Sequence, residues 1–137
     1  MGERSVVYDT NTIISALGFG GNPQTALFIG FTQGWDMHFS EEILTEVERV
    51  MNYDKIPISE ETANLFLGLM RDEGTLVELN VSVDASRDPD DNKFLECSLE
   101  ADAEYLVTGD DDLLKLNGFR DINILSANEF LDYAEEA

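Results

Sequence analysis

Four acidic residues, Asp9, Glu46, Asp91 and Asp110, lie far apart in the chain yet at positions from which carboxylates could meet. Asp9 follows the apolar run Val6-Val7-Tyr8, which puts it at the carboxyl end of a strand, where open α/β sheets form their binding crevices. The structural alternative is that Asp9, or Asn11, caps the next helix. Asp110, Asp111 and Asp112 follow Tyr105-Leu106-Val107-Thr108-Gly109 and repeat the arrangement of strand, tight turn and acid. Three adjacent aspartates repel one another unless a cation or a helix N-terminus compensates them. Asp110, nearest the strand end, is the candidate ligand, with Asp112 as a second, whereas Asp111 reads as a cap.

Helical projection treats the other two acids in the same way. After Pro89, steps of about 100° per residue put Phe94, Leu95, Ser98 and Leu99 on one arc with Asp91 near its middle. A lone carboxylate on an apolar face is costly unless it is paired or binds metal. Asp88 and Asp90 read instead as capping or solvated first-turn acids. In residues 40–52 the arc is Ile43, Leu44, Val47, Val50 and Met51, and Glu46 falls about 40° outside its edge. It is the acid of that helix able to reach a crevice, although boundary glutamates without a special role are equally common.

Clustered carboxylates suit a hard cation, Mg²⁺ or Mn²⁺, better than zinc. His38 is the single histidine and lies in a short strand-like run, so it reads as structural, and no Ser/His/Asp set can be assembled around it. Cys97 is the single cysteine and reads as a small core residue. Asp88-Pro-Asp90-Asp91-Asn92 opens like a calcium EF-hand loop, but Lys93 stands where that loop needs glycine and Leu99 where it needs glutamate.

Positioning these residues requires strands that alternate with helices. Short apolar runs separated by segments of helical period give an α/β class with a mostly parallel sheet. The expected strands are Ser5–Tyr8, Met37–Phe39, Glu104–Val107 and Ile122–Leu125, with Thr75–Leu79 either a strand or an extended connection. A turn and short helix over Asp9–Leu17 should end at Gly18, Gly20 and Gly21, and Pro23 should open a helix to about Gln33. Ser40 and Ser59 are expected N-caps of helices reaching Asn52 and Gly74, and Ser86–Asn92 is a polar turn into a helix ending near Ala101. Ser126 and Glu129 form a capping box for the last helix.

The 137 residues are expected to form one domain, 1–137, without repeats or linkers. No run approaches the roughly 18 apolar residues of a membrane span, so a soluble, cytoplasmic protein is expected. The balance of 29 Asp and Glu against 8 Lys and Arg gives a formal charge of -21. With 43% hydrophobic residues in periodic segments, this charge belongs to a folded surface rather than a disordered chain. Such a surface suits a salt-loving source, and it opposes nucleic-acid binding through Lys and Arg. Bound divalent cations and screening by salt both reduce that opposition.

Taken together, VVYDTNTIISAL, SEEILTEVERVM, SRDPDDNKFLECSLEADAEYLVTGDDDLL and INILSANEFL resemble a PIN domain over nearly the whole chain. The likeness is closest to the prokaryotic toxin components of toxin–antitoxin pairs related to the VapC toxins. The resemblance implies a three-layer sandwich, with a central parallel sheet flanked by helices, and a pocket where four acids meet. These match Asp9 in YDTNT, Glu46 in TEVERV, Asp91 in DPDDNKFL and Asp110 in VTGDDDLL, with Asn11 and Thr108 as orienting residues. It further implies metal-dependent hydrolysis of RNA, a homodimer and a small antitoxin partner. Two other readings stay open. VVYDTNT and GDDD also resemble motifs of haloacid-dehalogenase-like phosphatases, although position 11 is Asn where that family commonly has Asp. An acidic module that binds a basic partner without catalysis is the third.

Self-repulsion among these charges should ease as the Debye length falls to about 3 Å at 1 M salt. The melting temperature is therefore expected to rise with KCl up to about 2 M. A protein most stable at the lowest salt would overturn the salt-adapted reading.

Overall fold

The computed structural model describes residues 4–32 and 34–136. Among them are five strands and seven α-helices. In chain order these are β1 (Ser5–Tyr8), α1 (Thr10–Phe19), α2 (Gly21–Ile29), β2 (Asp36–Phe39), α3 (Glu41–Met51), α4 (Glu60–Glu73), β3 (Thr75–Leu76), α5 (Asn92–Glu100), β4 (Tyr105–Val107), α6 (Asp111–Leu114), β5 (Asn123–Leu125) and α7 (Ala127–Glu136). All strand pairings are parallel, in the order β3-β2-β1-β4-β5. Neighbouring side chains on a strand point to opposite faces, yet Val6, Val7 and Tyr8 are all buried. Both faces of the sheet are therefore covered by helices, giving the three-layer α/β sandwich expected of continuous apolar strands.

The sheet runs outward from β1 in two directions. β2 and β3 extend one way, β4 and β5 the other, so the order reverses between β1 and β4. The register pairs Tyr8 with Val107, so Asp9 and Thr108 leave the sheet side by side. Crevices form at the carboxyl ends of strands at such switch points.

Local chemistry sets most boundaries. Ser40 Oγ accepts from Ile43 N at 3.2 Å and Ser59 Oγ from Thr62 N at 3.1 Å, each taking up an amide left free at a helix start. Ser126 and Glu129 exchange two 3.2 Å bonds as a capping box.

Beyond one-residue shifts at the starts of β2, β4 and β5, four segments differ from expectation. α1 runs past Gly18 to Phe19, because a glycine is tolerated inside a helix that is packed, and Gly20, at φ 72°, ends it. α2 starts at Gly21 instead of Pro23 and ends at Ile29; Gln33, the expected end, lies outside the described residues. The Thr75–Leu79 segment pairs only over Thr75–Leu76, with one further bond from Val77 N to Phe39 O at 2.8 Å. The acids Asp111 and Asp112 open the short helix α6, which the sequence pattern did not separate from a turn.

Tyr8 anchors β1 to its covering layer. Its hydroxyl donates to Ala26 O at 2.6 Å and its ring meets Phe130 edge-on at 6.2 Å. Phe130 in turn packs on Trp35 and Tyr105. Gly30 makes room for this ring: a Cβ there would lie 2.7 Å from Tyr8 Oη and 2.9 Å from Cε2. Tyr8 is held at both ends and cannot swing aside. Gly30→Ala is therefore expected to destabilise the fold by about 1–3 kcal/mol, read as a lower midpoint in urea unfolding; an unchanged midpoint would show that the ring yields.

Candidate active site

Asp9 sits in the gap between the β1 and β4 ends, 2% exposed. Its Oδ1 accepts from Thr12 N at 2.8 Å, making it the N-cap of α1, and its Oδ2 accepts from Thr108 Oγ1 at 2.5 Å. The capping and functional roles weighed for this residue are thus compatible: one face of the carboxylate holds the helix, and each oxygen keeps a lone pair for other partners. Burial raises the Asp9 pKa; the bonds from Thr108 and Thr12 oppose this, while the Asp110 charge adds to it.

Thr108 is fully buried and works in both directions. While donating to Asp9, the same hydroxyl oxygen accepts from Asp110 N at 3.0 Å. This fixes the turn after β4 and brings Asp110 beside Asp9. Asp110 Oδ2 is buried and has no hydrogen-bond partner. A buried anionic oxygen without a donor is costly, and such an atom marks a place where a cation fits.

Asp91 arrives from a third segment. Asp88 Oδ1 accepts from Asp90 N at 3.0 Å and opens a 3₁₀ turn, Pro89–Asp91, which leads into α5. Asn92 Oδ1 holds the incoming strand of chain through Ser86 N at 2.8 Å and Ala85 N at 3.2 Å. Asp91 therefore precedes the regular helix on which it was projected, and it is half-buried rather than fully inward. Its pKa rises to about 7, first through desolvation and then through the neighbouring carboxyls of Asp110, Asp88 and Asp9. Asp88 and Asp90 are exposed, as expected of capping acids.

Glu46 has different company. Its Oε1 accepts from Thr10 Oγ1, and its Oε2 faces Lys93 Nζ at 2.8 Å and Arg49 at 3.7 Å. It lines a cleft of about 440 Å³ with Thr45, Arg49, Asp90 and Lys93. Asp110 lines another, of about 720 Å³, with Asn11, Ser15, Asp112 and Lys115. Asn11 is exposed there and Asp112 half-buried. Asp9, Asp91 and Asp110 thus form one interacting row, with Asp112 at its edge and Glu46 beside it across Thr10.

A family model for the PIN domain matches residues 5–112, a span that contains all four acids. The chain belongs to the PIN-domain family. No curated protein matches it closely. PIN domains are generally nucleases that act on nucleic acids, and they typically use divalent metal ions.

In this PIN domain no group of three or more Asp, Glu, His or Cys side chains closes into a ready metal cage among the described residues. The donor chemistry nevertheless fits a hard ion: the groups at the strand ends are carboxylates and one of their oxygens is buried without a partner. His38 and Cys97 lie outside the row. His38 is half-buried on β2 and Cys97 is buried in α5, its thiol pushed up to about 12 by burial. No helix among the described residues is long and apolar enough to cross a membrane. Thr10 and Lys93 escaped the sequence reading, and the one available signal was position, Thr10 after Asp9 and Lys93 two residues after Asp91.

The pH dependence follows from Asp91. Between about pH 4 and pH 7 the folded chain keeps a proton that the unfolded chain has lost, so this carboxyl lowers stability as pH rises through that window. Without divalent metal, the melting temperature is expected to fall across it, and Asp91→Asn to flatten the slope. An equal slope in both proteins would separate Asp91 from the row.

Proposed function

We propose that this PIN domain is a ribonuclease that hydrolyses RNA phosphodiester bonds with Mg²⁺ or Mn²⁺ held by Asp9, Asp91 and Asp110. The observation that carries the proposal is the Asp110 Oδ2 atom, buried and unpartnered at the sheet's switch point, on an acid that Thr108 ties to Asp9 and that acts electrostatically on Asp91. A divalent ion bound there would lower the pKa of a water for in-line attack and offset charge on the phosphoryl oxygens. Everything else falls to the chain's own groups. Thr12 N and Thr108 Oγ1 fix the Asp9 carboxylate, Thr108 also fixes the backbone of Asp110, and the start of α5 carries Asp91 to them. Asp91 releases its proton near neutral pH, which readies the row for a cation at the pH where RNA is stable. Asn11, Asp112 and Lys115 border the adjoining cleft of about 720 Å³, where Lys115 offers the RNA backbone one ammonium.

The resemblance to VapC-type toxins supports RNA as substrate, a homodimer, a small antitoxin partner and a cytoplasmic setting. Phosphatase chemistry with Asp9 as nucleophile fits less well, because position 11 is Asn where the haloacid-dehalogenase-like family commonly has its acid/base Asp.

The test is cleavage of a labelled RNA with and without Mg²⁺. Asp9→Asn and Asp110→Asn are expected to lose activity by at least the roughly 100-fold that loss of even an outer metal partner can cost, and Thr108→Val by about 10- to 100-fold. Metal-independent cleavage, or full activity in Asp9→Asn, would refute the assignment.

A further inference from the structure

Glu46 differs from the other three acids in having its counter-charge built into the chain. Its two oxygens are both engaged, Oε1 by the Thr10 hydroxyl and Oε2 by the Lys93 ammonium at 2.8 Å. Arg49 adds a second cation at 3.7 Å. A chain with 8 Lys and Arg against 29 Asp and Glu thus places two of its few cations on one glutamate. Nor is the closer pair a loose surface contact, since the side chains of Lys93 and Glu46 are 16% and 19% exposed. The ammonium is fixed from other sides as well, by Asp90 O at 2.7 Å and the Phe94 ring at 5.0 Å.

Asp110, in contrast, has a buried oxygen with no donor. The cleft that Asp110 lines and the cleft that Glu46 lines have no residue in common. For Glu46 to bind a divalent ion it would have to release Lys93 and leave a largely buried ammonium unpaired, at a cost typical of broken buried pairs. The ion and the ammonium would then repel each other at close range.

We propose that Lys93 is a resident cation for Glu46, taking Glu46 out of the metal-ligand set, so that the chain holds a single divalent ion on the side of Asp9, Asp91 and Asp110. This rests on the metal-dependent reading above and specifies its ligands and stoichiometry. Glu46 then acts as a positioning residue, joining α3 to the start of α1 through Thr10 and to α5 through Lys93, that is, to the elements that carry Asp9 and Asp91.

Calorimetric titration of the full chain with Mn²⁺ tests it, with a melting curve for each variant to confirm folding. The parent is expected to bind one ion per chain. Glu46→Gln, whose amide oxygen can still accept from Lys93 while its NH2 donates to the Thr10 hydroxyl, should match the parent in stoichiometry and affinity, while Asp110→Asn should weaken binding by about tenfold or more. Lys93→Gln should expose Glu46 and admit a second ion. Two ions in the parent, a loss in Glu46→Gln equal to that in Asp110→Asn, or a single ion in Lys93→Gln would each overturn the proposal while leaving the metal-dependent reading intact. Parent-like binding in Asp110→Asn would remove that reading and the inference with it.

Discussion

One hydroxyl ties the candidate site to the fold. Thr108 donates to Asp9 and accepts from the Asp110 amide, and so locks the ends of two neighbouring parallel strands into one unit. The geometry of both acids depends on it. So does the β1–β4 register, because Asp9 N donates to Val107 O at 3.0 Å and Asp9 can meet Thr108 only if Tyr8 pairs with Val107. A slip of one residue would turn Asp9 away and put Tyr8, which fills the core against Phe130, in its place. Burying an acid at the switch point is feasible because the N-terminus of α1 supplies an amide donor to the same carboxylate.

The electrostatic design follows from that constraint. Two carboxylates fixed to neighbouring strand ends and a third brought by α5 repel one another, and burial makes the charged forms costlier still. The result is a raised pKa for Asp9 and Asp91. Glu46 is instead relieved by Lys93 and Arg49, which explains why four acids that resemble a single set in family terms divide into three and one in charge terms. The surrounding acidity, -21 over the chain, sharpens the contrast: a cation is scarce on this protein, and where one lies half-buried it marks a specific need.

Much of this architecture was legible in the sequence. Val6-Val7-Tyr8 and Leu106-Val107 read as strands from their apolar runs, and the acids Asp9 and Asp110 just past them pointed to a crevice at the strand ends. Ser40, Ser59 and Ser126 marked helix starts because their hydroxyls replace missing amide partners, a rule that acts within four residues. What stayed hidden depends on packing or on distant partners. Projection placed Asp91 on a regular helix, but Pro89 favours a 3₁₀ turn first, so the residue arrives half-buried and beside Asp110. Lys93 looked like a failed calcium-loop position, and its pairing with a glutamate 47 residues away is a tertiary fact that no local pattern carries. β3 shrank to Thr75–Leu76 because an edge strand pairs only as far as its one neighbour extends.

The central claim is that Asp91, crowded by Asp110, Asp88 and Asp9, keeps its proton to an unusually high pH in the metal-free protein, and that a divalent ion would take that proton's place. Carboxyl-carbon NMR of selectively labelled aspartate, titrated with and without Mg²⁺, addresses it directly. Without metal, the Asp91 resonance is expected to titrate near pH 7, far above the 3.8 of an ordinary aspartate. Saturating Mg²⁺ should displace that proton and move the transition toward the ordinary range, by linkage between ion and proton binding. An Asp91 that titrates as an ordinary aspartate in the metal-free protein, or keeps its high transition unchanged under Mg²⁺, would contradict the account.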